Sequence, residues 1–284
     1  MKILKVFLFI FLFISCQSNN TKPESSDDSS TTTLLGNNSN NSEVVYTEEE
    51  LALISEMDRK YPYFNVNLDS FKVHVDAPLS TTITVDDKIY ALEALALMRI
   101  AVNIPEFETE IKKLDLYSSR KDSYPNSPYS IEIGTKYDND RVIKVIRAAN
   151  YNVRYLKAGR EDTVFMADVG KSMYVRYGYQ NDLEYGKNIY IPNRPWNIVV
   201  GYSNFFVFTA LLFHEHLHNL GFDHRNGYDM VSEIHKVFQN TILRSVFRTG
   251  QYGLDYEKMK KYYKIKNKKW LEGDTVVPPE EYPK

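Results

Sequence analysis

Residues 214–224 read HEHLHNLGFDH, and four of the chain's six histidines fall within these eleven positions. Imidazole nitrogens bind divalent metal ions, so the spacing decides whether the cluster is able to act as a site. On an α-helix, residues four apart lie on one face, one turn apart. His214 and His218 can therefore aim at a single ion at roughly 2.0–2.1 Å. Glu215, one position along, flanks that face, where its carboxylate reaches a water at the ion without becoming a ligand. His216 is two positions from each histidine and points to the opposite side, which gives it the reading of a partly exposed helix residue outside the site.

The pattern continues past the helix. Gly221 follows His218 by three residues and His224 follows it by six. Glycine takes the left-handed conformation that ends a helix, after which the chain turns and brings His224 back as a third ligand. Three protein ligands with a fourth position left open is the arrangement of a catalytic zinc site, here with one ion. With average residue usage, the five fixed positions of HExxHxxGxxH arise by chance on the order of once in 10^5 chains of this length, which sets coincidence aside. Glu233, fifteen residues after His218, stands as an alternative third ligand on a later helix. His235, near it, reads as a surface or packing residue. The motif carries no information on calcium.

The elements that must position these residues follow from periodicity and caps. Residues 203–220 form a long, mostly apolar helix that carries the histidines, and residues 232–247 a helix after them. Upstream, residues 130–136, 152–157, 163–168 and 173–177 alternate like strands, 189–191 and 197–200 are further extended candidates, and 138–150 have helical spacing. Further towards the N-terminus, Thr47 and Glu50 form a capping box for a helix to about residue 60. Residues 85–114 read as helix broken at Pro105. FKVHVDAP and STTITVDD read as short strands or extended turns. The class is α+β.

The extended motif resembles that of the metzincin metallopeptidases. In that clan a methionine-containing turn lies beneath the zinc site, and NGYDM places Met230 six residues beyond His224. Some members carry a tyrosine ligand two residues after the methionine; Ser232 stands there, so that role does not transfer. The resemblance is sharpest over residues 213–230. It implies a catalytic domain with a twisted mixed β-sheet, a zinc-binding helix and a C-terminal helix over residues 127–250, preceded by a smaller, mostly helical accessory or prosegment-like region over 43–126. It further implies a zinc endopeptidase in which Glu215 is the general base. Its peptide or protein substrate would lie extended along an edge strand, for which residues 173–177 are the candidate. A binding protein with an unused metzincin-like fold, or a zinc hydrolase of non-peptide amides, are the alternatives. Asp76 is a candidate contact through which the N-terminal region would cover the cleft.

The two ends of the chain read differently. MKILKVFLFIFLFISC has two lysines and then an apolar run over residues 6–14, too short for a span of about 20 residues but suited to a signal peptide. It ends at Cys16, the single cysteine, and resembles a bacterial lipoprotein signal, although Phe13 stands where the usual box has leucine. The expectation is a signal over 1–15, lipid on Cys16, a polar disordered tether over 16–42, and an exported envelope protein, outer-membrane in preference because Gln17 is not aspartate. At the other end, residues 251–284 mix lysines with aromatics, as in KMKKYYKIKNKKW; they read as a tail with a solvated amphipathic terminal helix, or as a segment that touches anionic lipid. The formal net charge of -2 argues against nucleic acid as a partner, and a monomer is expected.

Overall fold

A computed structural model describes residues 44–74, 82–116, 136, 138–157, 166–167, 188–191, 204–222 and 230–272. Val44–Lys284 form one compact unit. The expected signal, Cys16 and the tether lie outside the described residues, as do Asp76 and the strand candidates at 173–177 and 197–200. No described helix is long and apolar enough to cross a membrane.

Helix starts follow the sequence closely. Helix α1 (Glu48–Lys60) opens with the Thr47–Glu50 capping box, and α2 (Val85–Asn103) with a second one, in which Thr84 and Asp87 exchange bonds. The extended segment expected at STTITVDD is thus in part the cap and first turn of α2. Pro105 begins α3 (Pro105–Lys112), where its missing N–H costs nothing. Asp138 caps α4 (Asn139–Arg147).

The sheet is four-stranded and mixed, in the order β1-β2-β4-β3. Strand β1 (Asn65–Val73) pairs in parallel with β2 (Asn150–Lys157), and β2 in parallel with β4 (Asn188–Ile191). Strand β3 (Met166–Ala167) runs antiparallel to β4. The chain is therefore α+β. β1 belongs to the stretch read as an accessory region and β2 to the stretch read as the catalytic domain, yet they pair along their length. The division expected at 126/127 has no counterpart in the described residues, because parallel pairing of β1 and β2 needs the helices between them as the crossover.

One helix organises the core. From Ala94 to Val102 every residue of α2 is buried. A helix apolar all round belongs inside a domain, and α2 packs against α7 (Gly253–Lys266), α5 (Asn204–Asn219) and β1. Its one buried guanidinium, on Arg99, is fully engaged. It donates to the Tyr61 carbonyl at 2.9 Å, to the Tyr262 hydroxyl at 2.8 Å and to Asp58 at 2.8 Å. At the other end of the helix, buried Lys157 from β2 bonds Asp87 at 2.9 Å and the Thr82 carbonyl at 3.0 Å.

The C-terminal segment is helical, as expected, but among its described residues the helix is packed rather than solvated all round. Tyr256, Met259, Tyr262, Tyr263 and Ile265 of α7 are buried, and the Tyr263 hydroxyl donates to the Val66 carbonyl on β1 at 3.0 Å. Several of its lysines are committed to carboxylates of this chain: Lys258 to Glu56, Lys264 to Glu93, and Lys268, at the start of α8 (Lys268–Glu272), to Glu50. The aromatic residues alternate with lysines because one side of the helix is core and the other is an ion-paired surface.

A chain that begins at residue 127 lacks β1 and α2, and is expected to show no cooperative thermal unfolding by circular dichroism. A chain that begins at Val44 keeps its transition, and Tyr263→Ala lowers its stability by about 3–5 kcal/mol, as for other large buried aromatics.

Candidate metal centre

Helix α5 buries Phe208, Leu212, Phe213, Leu217 and Leu220. It ends where the sequence places the end. Gly221 has φ 89°, its N–H bonds the His218 carbonyl at 2.8 Å, and the Phe222 N–H bonds the Leu217 carbonyl at 3.0 Å. This pair of bonds is a Schellman cap. The turn also brings the Phe222 carbonyl over the last turn of the helix, where it meets His218.

That contact selects a tautomer. His218 Nδ1 lies 2.7 Å from the Phe222 carbonyl oxygen, an acceptor only, so Nδ1 carries the proton. The lone pair is then on Nε2, the nitrogen left to bind a metal. A backbone carbonyl on the far nitrogen of a ligating histidine is a common way of fixing ring orientation. The His214 and His218 rings stand 5.0 Å apart between centroids at 82°. Two imidazoles on one tetrahedral zinc, each with its nitrogen about 2.0–2.1 Å away, have centroids about 5.2 Å apart. The pair fits such an ion.

Glu215 is buried, and its Oε2 has no hydrogen-bond partner among the described residues. Burial pushes its carboxyl up to about 8. A divalent cation beside it acts in the opposite direction, because an opposite charge favours the ionised form. A buried carboxyl oxygen left over on the helix turn that carries the two paired imidazoles suits a cation site better than an apolar core, where such a group is costly.

His216 is fully buried, which corrects the expectation of partial exposure. Tyr151 Oη lies 2.5 Å from its Nδ1 and Tyr155 Oη 2.9 Å from its Nε2. The two tyrosines are four apart on β2, so they share a face of the strand. Burial holds the imidazole down to about 3, so it is neutral; one ring nitrogen donates to one hydroxyl and the other accepts from its partner. His216 remains outside the metal site, as its spacing indicates, but it fastens the opposite side of α5 to the sheet. Phe64, immediately before β1, packs its ring edge-on to His216 at 5.7 Å and does so from a left-handed backbone, φ 59°.

The third candidate ligand, His224, and the loop to residue 229 lie outside the described residues. Met230 begins α6 (Met230–Thr241), and its side chain is likewise outside them. After α6 the chain continues as a π-helical segment, Ile242–Arg248, where a single helix was expected. The alternative ligand Glu233 is partly exposed and bonds Lys236 at 2.6 Å, one turn along the surface of α6. Among the described residues no three His, Cys, Asp or Glu side chains form a metal-binding group; two of the three motif histidines are described. His235, read from the sequence as a surface or packing residue, is partly exposed and packs against a motif histidine. Its ring is 5.4 Å from that of His214, at 80°. The signal was its place three before Phe238, which stacks on Phe213 at 3.9 Å and so sets the α6 face that meets α5.

Compared with protein-family models, with curated proteins and with solved structures, the chain gives no match.

Replacing His216 by phenylalanine keeps a ring but removes the bonds that two buried tyrosine hydroxyls make to it. The expected cost is about 2–6 kcal/mol, read as a lower midpoint in denaturant titration, with Tyr155→Phe in the same chain recovering part of it.

Proposed function

We propose that the protein is a zinc-dependent endopeptidase of metzincin type, exported and held at the bacterial envelope through lipid on Cys16. The observation that carries this reading is the pairing of His214 with His218 on a helix turn that also carries Glu215, whose buried carboxyl oxygen has no hydrogen-bond partner among the described residues. The motif residues supply the rest: His224 as third ligand, Met230 beneath the site. The order of elements, with strands β2, β3 and β4 before α5 and then α6, agrees with what the resemblance implies.

Zinc held by these histidines supplies a Lewis acid that lowers the pKa of water towards about 7 and polarises a carbonyl. The chain's own groups do the remaining work. Glu215 takes a proton from the attacking water as its oxygen bonds the scissile carbonyl carbon. It returns that proton to the amine nitrogen as the C–N bond breaks. Nothing in the motif requires a nucleophilic side chain. His218 is held in its tautomer by the Phe222 carbonyl, and His216 keeps the helix seated so that Glu215 and the two imidazoles retain their spacing.

The test is cleavage of a diverse peptide library by the zinc-loaded chain from Val44 onwards, with products read by mass spectrometry. The parent is expected to cleave, and Glu215→Ala to lose about 10^2–10^4-fold in kcat/KM. Chelation abolishes turnover and added zinc restores it. Zinc binding without cleavage by the parent sinks the peptidase reading and favours a binding role. Equal cleavage by parent and variant removes Glu215 from the mechanism.

A further inference from the structure

His235 has no part in the metzincin motif, yet its ring stands against that of His214. Its ring lies 5.4 Å from that of His214 and nearly perpendicular to it. The residue is partly exposed while its Nδ1 is buried. The position is well anchored. Phe238, one turn further along α6, stacks on Phe213 at 3.9 Å and 12°, and Val231, Ile234, Val237 and Phe238 are all buried.

The geometry points to His235 as a hydrogen-bond donor to the oxygen of the scissile carbonyl while negative charge develops on it; this inference rests on the peptidase reading. A ligand role is the weaker fit, since His235 does not close a group of three with His214 and His218 among the described residues. A donor role needs only a ring N–H beside the reacting group. Neutral imidazole always carries one, so no change of charge is involved. Donors fixed before the reaction are effective because they are already oriented when the charge appears, and the stacked aromatic pair supplies that fixing.

Two substitutions in the full chain separate the donor from the ring. His235→Phe keeps the aromatic contact with His214 and has no N–H; His235→Gln keeps an N–H and has no ring. On a peptide that the parent cleaves, His235→Phe is expected to lose about 10^2–10^3-fold in kcat with KM within threefold, and His235→Gln to retain at least a tenth of parental kcat. Zinc affinity, measured by chelator competition, is expected to stay within threefold in both. A phosphinic peptide of the same sequence, whose anionic oxygen mimics the developing charge, is expected to bind His235→Phe at least 30-fold more weakly than parent by calorimetry. Full activity in His235→Phe, or loss of activity in His235→Gln equal to that of the phenylalanine variant, overturns the donor role. A drop in zinc affinity beyond tenfold in both variants also overturns it, in favour of His235 as a ligand. If the zinc-loaded parent cleaves nothing, the peptidase reading falls and this inference with it; failure of the inference alone leaves the parent active.

Discussion

A buried imidazole is costly unless its ring nitrogens are bonded, and in this protein the bonding of His216 ties the helix of the candidate metal centre to its sheet. His216 has no exposed surface, and its nitrogens are satisfied by the hydroxyls of Tyr151 and Tyr155. Those tyrosines belong to β2, the strand flanked by β1 and β4. A displacement of α5 along the strand breaks two bonds in a place that water does not reach, and so leaves polar groups unsatisfied at high cost. The face carrying His214, Glu215 and His218 is thus positioned by the side chain between them that points away.

The sheet to which α5 is fastened depends in turn on residues far away in sequence. β1 aligns beside β2, and the stretch between them supplies α2, whose burial on all sides requires partners around its whole circumference. α7 is one of those partners, and its tyrosines close the structure from the C-terminal end through Arg99 and through the Val66 carbonyl. Burying Arg99 is acceptable because each of its three bonding groups has an acceptor. Phe64 shows the same dependence locally: a non-glycine residue in a left-handed conformation costs of the order of 1–3 kcal/mol, which burial of its ring against Phe213 and His216 offsets.

Local signals were read well where one short-range force dominates. The capping box at Thr47, the helix start at Pro105, the end of α5 at Gly221 and the strand at β2 all follow from hydrogen bonds or steric limits within a few residues. The candidate centre was legible for the same reason, since the i, i+4 spacing of His214 and His218 is a property of the helix alone. His216 was misjudged because a helical wheel shows only that it faces away from the other two, and not whether that side meets water or tyrosine. The C-terminal helix was misjudged because alternating lysine and aromatic residues describe a solvated tail and a half-buried core helix equally well.

The sequence by itself determined where helices begin and end, that the class is α+β, and which imidazoles share a face of α5. Each of these depends on contacts within about one or two turns, which residue order fully specifies. Only the tertiary structure decided that β1 and β2 share one sheet, that α7 is core, that the Phe222 carbonyl sets the tautomer of His218, and that His235 from α6 stands against His214. Those are meetings between segments distant in the chain or brought over by a turn, and they are chosen by the simultaneous burial of apolar surface and satisfaction of polar groups. No local pattern encodes that choice, because its energy exists only once every partner is in place.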